Sequence, residues 1–139
     1  MDLKFFLMAD YASISVDQKL SISGIFQHIN AAQFPANHPL LYLVAQLQAY
    51  PAEFGRTFRL QIKLLDEDAN VLTELATMAT APTPTIRGMN ALVNQIIQLG
   101  NIVFPKPGRY QFSLLVDGDQ KGELEFELGQ VTPRAPQTE

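Results

Sequence analysis

Five carboxylates are the side chains of this chain whose types and spacing could do chemistry together: Asp10, Asp17, Glu53, Asp117 and Asp119. Each stands in or beside a turn-like stretch, and calcium takes six to eight oxygen ligands, so loops that converge could assemble a site from them. The competing reading is that Asp is a turn former whose side chain satisfies nearby main-chain amides, and that reading is preferred. A second acidic group, Asp66-Glu67-Asp68, fails as an EF-hand: Ala69 to Leu72 supply neither the glycine nor the alternating oxygen ligands that such a loop needs. Nucleophilic and acid–base groups are scarce. There are two histidines, His28 and His38, no cysteine, and no serine in a strand–turn–helix elbow. A site shared by the two histidines is conceivable, but His38 precedes Pro39 and is expected to make a main-chain contact in a rigid turn. The chain is therefore expected not to be an enzyme and to carry no cofactor.

The elements that would position these groups are strands. Thr57 to Leu65 alternates Phe58, Leu60, Ile62 and Leu64 with Arg59, Gln61 and Lys63, the two-residue period of a half-buried strand. Tyr110 to Val116 and Leu124 to Leu128 repeat the pattern around Asp117-Gly118-Asp119. Pairing Leu114 with Leu124 and Phe112 with Phe126 predicts an odd loop centred on Asp119, because a one-residue slip would turn Glu123, Glu125 and Glu127 into the core. Leu3 to Ala9, Lys19 to Phe34 and Leu40 to Tyr50 complete the first half, with Gly24 expected at a bulge or close approach and Pro35 to Pro39 as a connection. In Val71 to Thr80, Leu72 and Leu75 are three apart, which predicts a bulge or a poorly paired edge. Met89 to Leu99 has helical spacing, but its β-branched residues and unbroken run into Phe104 favour a strand.

About eight short strands without a βαβ unit predict an all-β, antiparallel two-sheet β-sandwich of Ig-like or C2-like kind. One domain over residues 1–129 and a flexible tail over 130–139 follow from the punctuation. If successive strands alternate in direction, the loops holding all five carboxylates gather at one end. Exposed tyrosines and Phe54 offer a weaker carbohydrate-binding reading through Tyr11, Tyr42 and Tyr50.

Ten basic residues against fourteen acidic ones give a net charge of −4, which disfavours a nucleic-acid partner. The short apolar run Phe5 to Ala9, flanked by Asp2 and Asp10, lacks the basic start and length of a secretory signal, and no segment reaches the roughly 20 apolar residues that span a bilayer. A cytoplasmic protein without membrane contact is expected. What remains is association with a protein partner or with itself through an edge strand, Leu3 to Ala9 or Val71 to Thr80, while Glu123, Glu125 and Glu127 guard the last strand.

Ala9-Asp10-Tyr11-Ala12, Lys19-Leu20, Gly24-Ile25-Phe26, Phe34-Pro35-Ala36, His38-Pro39, Asp66-Glu67-Asp68, Phe104-Pro105, Pro107-Gly108 and Tyr110 follow in an order that resembles a family of small bacterial proteins of unknown function. The resemblance implies a β-rich domain with a strand before Phe104, and no activity. Ala69 departs from it, standing where glycine is common after the acidic turn.

Overall fold

The computed structural model describes residues 1–132, and among these the chain is all-β with nine strands. They are β1 (Asp2–Ile14), β2 (Leu20–Ile25), β3 (His28–Ala31), β4 (Ala36–Ala49), β5 (Thr57–Leu65), β6 (Val71–Thr80), β7 (Ala91–Phe104), β8 (Gly108–Val116) and β9 (Asp119–Gln130). A four-stranded sheet has the order β2-β1-β4-β7 and a five-stranded sheet the order β3-β9-β8-β5-β6. Apolar residues of both sheets meet in one core, with Leu41, Leu43 and Leu47 from the first and Leu60, Ile62, Leu64, Phe112 and Phe126 from the second. Its aromatic centre is a stack of Tyr110, Phe126 and Phe112, with ring centroids 5.2 and 5.9 Å apart from Phe126, and Phe104 set edge-on.

The ambiguous stretch Met89 to Leu99 resolves in favour of the strand: β7 starts at Ala91 and is paired with β4 along its length. Gly100 therefore lies within β7 and ends no helix. The expected irregularity of β6 is a bulge: Leu64 pairs with Thr73 but Leu65 with Val71, so Leu72 is the extra residue of an edge strand.

Four expectations are corrected. The predicted second strand, Lys19 to Phe34, is two strands in different sheets. The Phe26 amide donates to the Met8 carbonyl of β1 while the Gln27 carbonyl accepts from Glu127 of β9, so the chain changes sheet within one peptide. Gly24, at φ +72°, makes this turn possible; a Cβ there would lie 2.6 Å from Asp10 Oδ2. The result is also not uniformly antiparallel, because β3 runs parallel to β9. The hairpin register differs by two residues, pairing Phe112 with Leu124 and Tyr110 with Phe126. Asp117 and Gly118, at φ +49° and +87°, close a two-residue turn of the kind that matches strand twist, and a bulge at Lys121 restores the inward face. A two-residue slip keeps every side chain on its predicted face. Finally, Pro39 lies within β4, which begins at Ala36, and only Pro35 stays in the connection.

The predicted tail began at Gln130, but β9 includes that residue and the Val131 amide donates to Ala31. The rest of that tail, 133–139, lies outside the described residues. No helix among the described residues is long and apolar enough to cross a membrane.

Candidate interaction surface

Register and alternation assign each strand residue to the core or to an outer face, and the two outer faces differ in chemistry. On the five-stranded sheet the outward positions hold Arg59 and Lys63 of β5, Glu74 of β6, Arg109 of β8, and Glu123, Glu125 and Glu127 of β9. Opposite signs sit across from one another, Lys63 against Glu74 and Arg109 against Glu127, the latter with Nε 3.5 Å from Oε1. This is a solvated face whose charges pair across strands.

On the four-stranded sheet the outward rows are Phe5–Gln46–Asn94, Leu7–Val44–Ile96 and Ile25–Ala9–Tyr42–Gln98, with the row Asp2–Gln48–Leu92 at one end and Leu40 and Tyr11 beyond the other. Apart from Asp2 none of these residues is charged. Asp2 and the bulged Lys4 bring charge only at the rim, where β1 begins. Val44 is fully buried although it lies outside the core between the sheets, so its neighbours on the outer face cover it. Leu92 and Tyr11 are about half exposed, at 50% and 54%. The polar members are amides, and Gln46 Nε2 donates to Asn94 Oδ1 at 2.9 Å.

The edges extend this contrast. β1, expected to be an open edge, lies between β2 and β4, and its start packs on β9, where Leu3 occupies the space a Cβ of Gly122 would need. β6 and β7 are edges on the other side, separated by a groove of about 360 Å³ lined by Leu72, Leu75, Leu99 and Ile102 among others. From Leu75 to Pro105 the sequence carries a single charge, Arg87. β6 is guarded by its bulge and Glu74, whereas β7 from Ala91 to Gly100 has no charge, proline or bulge. These are the devices that normally block strand addition.

The five carboxylates are not brought together. β1 starts beside Glu53, whose Oε2 is 2.9 Å from the Met1 amino group, and runs away from it for thirteen residues, a span of about 40 Å at the usual rise. Asp10 lies within β1, and Asp17 sits past its far end in the β1–β2 turn, held by Ser15 Oγ and by Lys19 Nζ at 3.3 Å. The alternation of loops failed because the predicted second strand is two, β2 and β3, and the added reversal puts every later loop at the opposite end from the one expected. Those bonds hold the Asp17 carboxyl below the usual carboxylate range, Ser15 first. Glu53 is pushed up by desolvation but lowered further by its bonds to the terminal amine and the Tyr50 amide. Asp117 and Glu53 do share one end of the molecule, but Asp117 Oδ1 accepts the Arg59 amide at 2.9 Å and serves the fold. Asp119 follows in the same hairpin. No group of three or more His, Cys, Asp or Glu side chains among the described residues is placed to hold a metal ion.

The remaining sequence candidates are also engaged locally. Asp66 accepts the amides of Asp68 and Asn70, both at 2.9 Å, and these bonds, Asn70 foremost, lower its pKa. Glu67 Oε1 accepts the Arg109 amide at 2.6 Å, so the acidic turn fastens the start of β8. Ala69 has φ +63°, the left-handed conformation that explains why glycine suits this position. His28 and His38 border one shallow depression with Asp10. His28 Nε2 is 2.8 Å from Asn30 Oδ1, and the His38 ring packs 6.0 Å from Phe26 rather than against a turn. Tyr11 and Tyr42 meet edge-on at 5.4 Å, leaving no parallel platform on which a sugar could stack. Tyr50 bonds Asp2, and Phe54 packs on the core.

A family model matches residues 4–129. The chain belongs to the family of unknown function DUF6941. No curated protein matches it. Among solved structures, the Pseudomonas fluorescens alkylpurine DNA glycosylase AlkC bound to DNA containing an abasic site analog is similar at 17% identity and a TM-score of 0.42, over 74% of this chain. The chain spans about a quarter, 27%, of that protein.

The uncharged face was the feature that sequence reasoning missed. Its signal was present in the second register of each strand: Gln46, Gln48, Asn94 and Gln98 stand where outward positions ordinarily hold Lys or Glu.

Proposed function

We propose that this chain is a non-catalytic association module that engages another protein through the outer face of its four-stranded sheet and the adjoining β7 edge. One observation carries the reading: the central rows of an outer face of three to four strands hold no charged side chain, with Asp2 and Lys4 only at its rim, while the opposite outer face holds seven. Depletion of charge with retained aromatic and amide side chains is the composition that separates an interface core from ordinary surface. In this reading the two sheets are the rigid layers of a β-sandwich scaffold, and the partner is a protein rather than nucleic acid, in keeping with the net charge of −4. The engagement of carboxylates by main-chain amides supports a structural rather than catalytic use of them.

The test is cross-linking of the full chain in the cells that make it, followed by affinity capture and mass spectrometry, with the natural sequence beside two surface variants. Leu92→Lys/Gln98→Lys puts two charges on the four-stranded face, and Arg59→Glu/Lys63→Glu reverses two on the other. The expected result is cross-linked protein lost in the first variant and kept in the second. Capture that is the same for all three chains would contradict the reading.

A further inference from the structure

We infer that the uncharged face docks a second copy of this chain, face to face about a two-fold axis, an inference that rests on the association reading above. The first support is chemical self-complementarity. In a two-fold contact each surface meets its own image, so any charged group near the axis faces a like charge. The central rows of this face have none, Asp2 and Lys4 lying at one rim away from its centre, although the molecule as a whole carries −4. Amides are the polar groups that pair with themselves, since each holds both donors and an acceptor. The Gln46–Asn94 bond uses one donor and one acceptor and leaves the Gln46 carbonyl oxygen and the Asn94 amide hydrogens for an image across the axis.

The second support is area. Strands about 4.8 Å apart and a rise of about 3.3 Å per residue make the face about 15–20 Å across and about 30 Å long. Two copies would together bury about 1,000 Å² or more, the size at which specific association begins. The apolar fraction of that area lies in the row Leu7–Val44–Ile96 and in Leu92, which is half exposed in the single chain. Two such faces stack as sheets do in a sandwich, at about 10 Å separation.

Sedimentation equilibrium of the purified full chain, up to about 100 μM so that a Kd in the micromolar range is read, provides the test. Dimers are expected for the natural sequence. Leu92→Lys/Gln98→Lys changes two exposed positions and so keeps the fold, which thermal melting checks; its dimer Kd is expected to rise about tenfold or more. Arg59→Glu/Lys63→Glu is expected to leave Kd unchanged. A chain that stays monomeric throughout, or a dimer that survives the β7 charges, overturns the inference. Those results are separable from failure of the association reading, because the cross-linking experiment can still show a different protein lost with the Leu92→Lys/Gln98→Lys variant.

Discussion

Along β9 each outward residue from 123 to 127 is a glutamate, Glu123, Glu125 and Glu127, whereas the outward column of β7 runs Leu92, Asn94, Ile96 and Gln98. Both strands obey the same two-residue alternation and contribute comparably to one core. The difference lies only in what the non-core positions are asked to do. β9 is paired with β3 from Glu127 onward and is open before that, so its glutamates protect an exposed edge from pairing. β7 is open along its outer edge and carries no such protection. The lesson is that burial pattern reports the fold, while the residues left over by that pattern report the surface's use.

The two faces can be broken together or apart. The largest effect is expected from Phe112→Ala, which empties the ring position stacked on Phe126 and undermines both sheets. It should cost about 3–5 kcal/mol in denaturant unfolding. Next is Asp117→Ala. With its carboxylate on the Arg59 amide and φ at +49°, the loss is expected to be about 1–2 kcal/mol, while Asp119→Ala changes little. A smaller change of opposite sign is expected at the acidic turn: Ala69→Gly relieves left-handed backbone and should stabilise by about 0.5–1 kcal/mol, read as a raised Tm. The smallest is Glu125→Lys on the charged face, expected within about 0.5 kcal/mol of the natural chain and without effect on association. A large change in association from Glu125→Lys would erase the distinction between the faces.

Much of the fold was legible in the sequence because alternation constrains it directly. Phe58, Leu60, Ile62 and Leu64 point inward as expected, as do Tyr110, Phe112, Leu114 and Val116. The choice of strand over helix before Phe104 rested on β-branched residues, and β7 follows it. Connections were less legible, since they depend on single backbone angles. The Asp117-Gly118 turn and the Lys121 bulge moved a register by two, and one peptide after Phe26 sent the chain to the other sheet. β1 runs through Asp10 because a lone carboxylate can sit at a strand position beside Gly24 without ending the strand. The reversal that β3 adds between β2 and β4 separated the five carboxylates and removed the geometric support for a calcium site. Four-stranded packing was needed to see the amides of β4 and β7 as one surface, because they are nearly fifty residues apart in sequence and adjacent only in register, as Gln46 is to Asn94.

The most direct measurement uses the absence of cysteine from the sequence. Gln98→Cys places one thiol on the uncharged face and Lys63→Cys places one on the charged face, and each can be labelled in the cells that make the protein and again in dilute purified form. The account predicts that the thiol at position 98 reacts several-fold more slowly in cells than in dilute solution, while that at 63 reacts alike in both. Equal reactivity at position 98 in the two settings would contradict it.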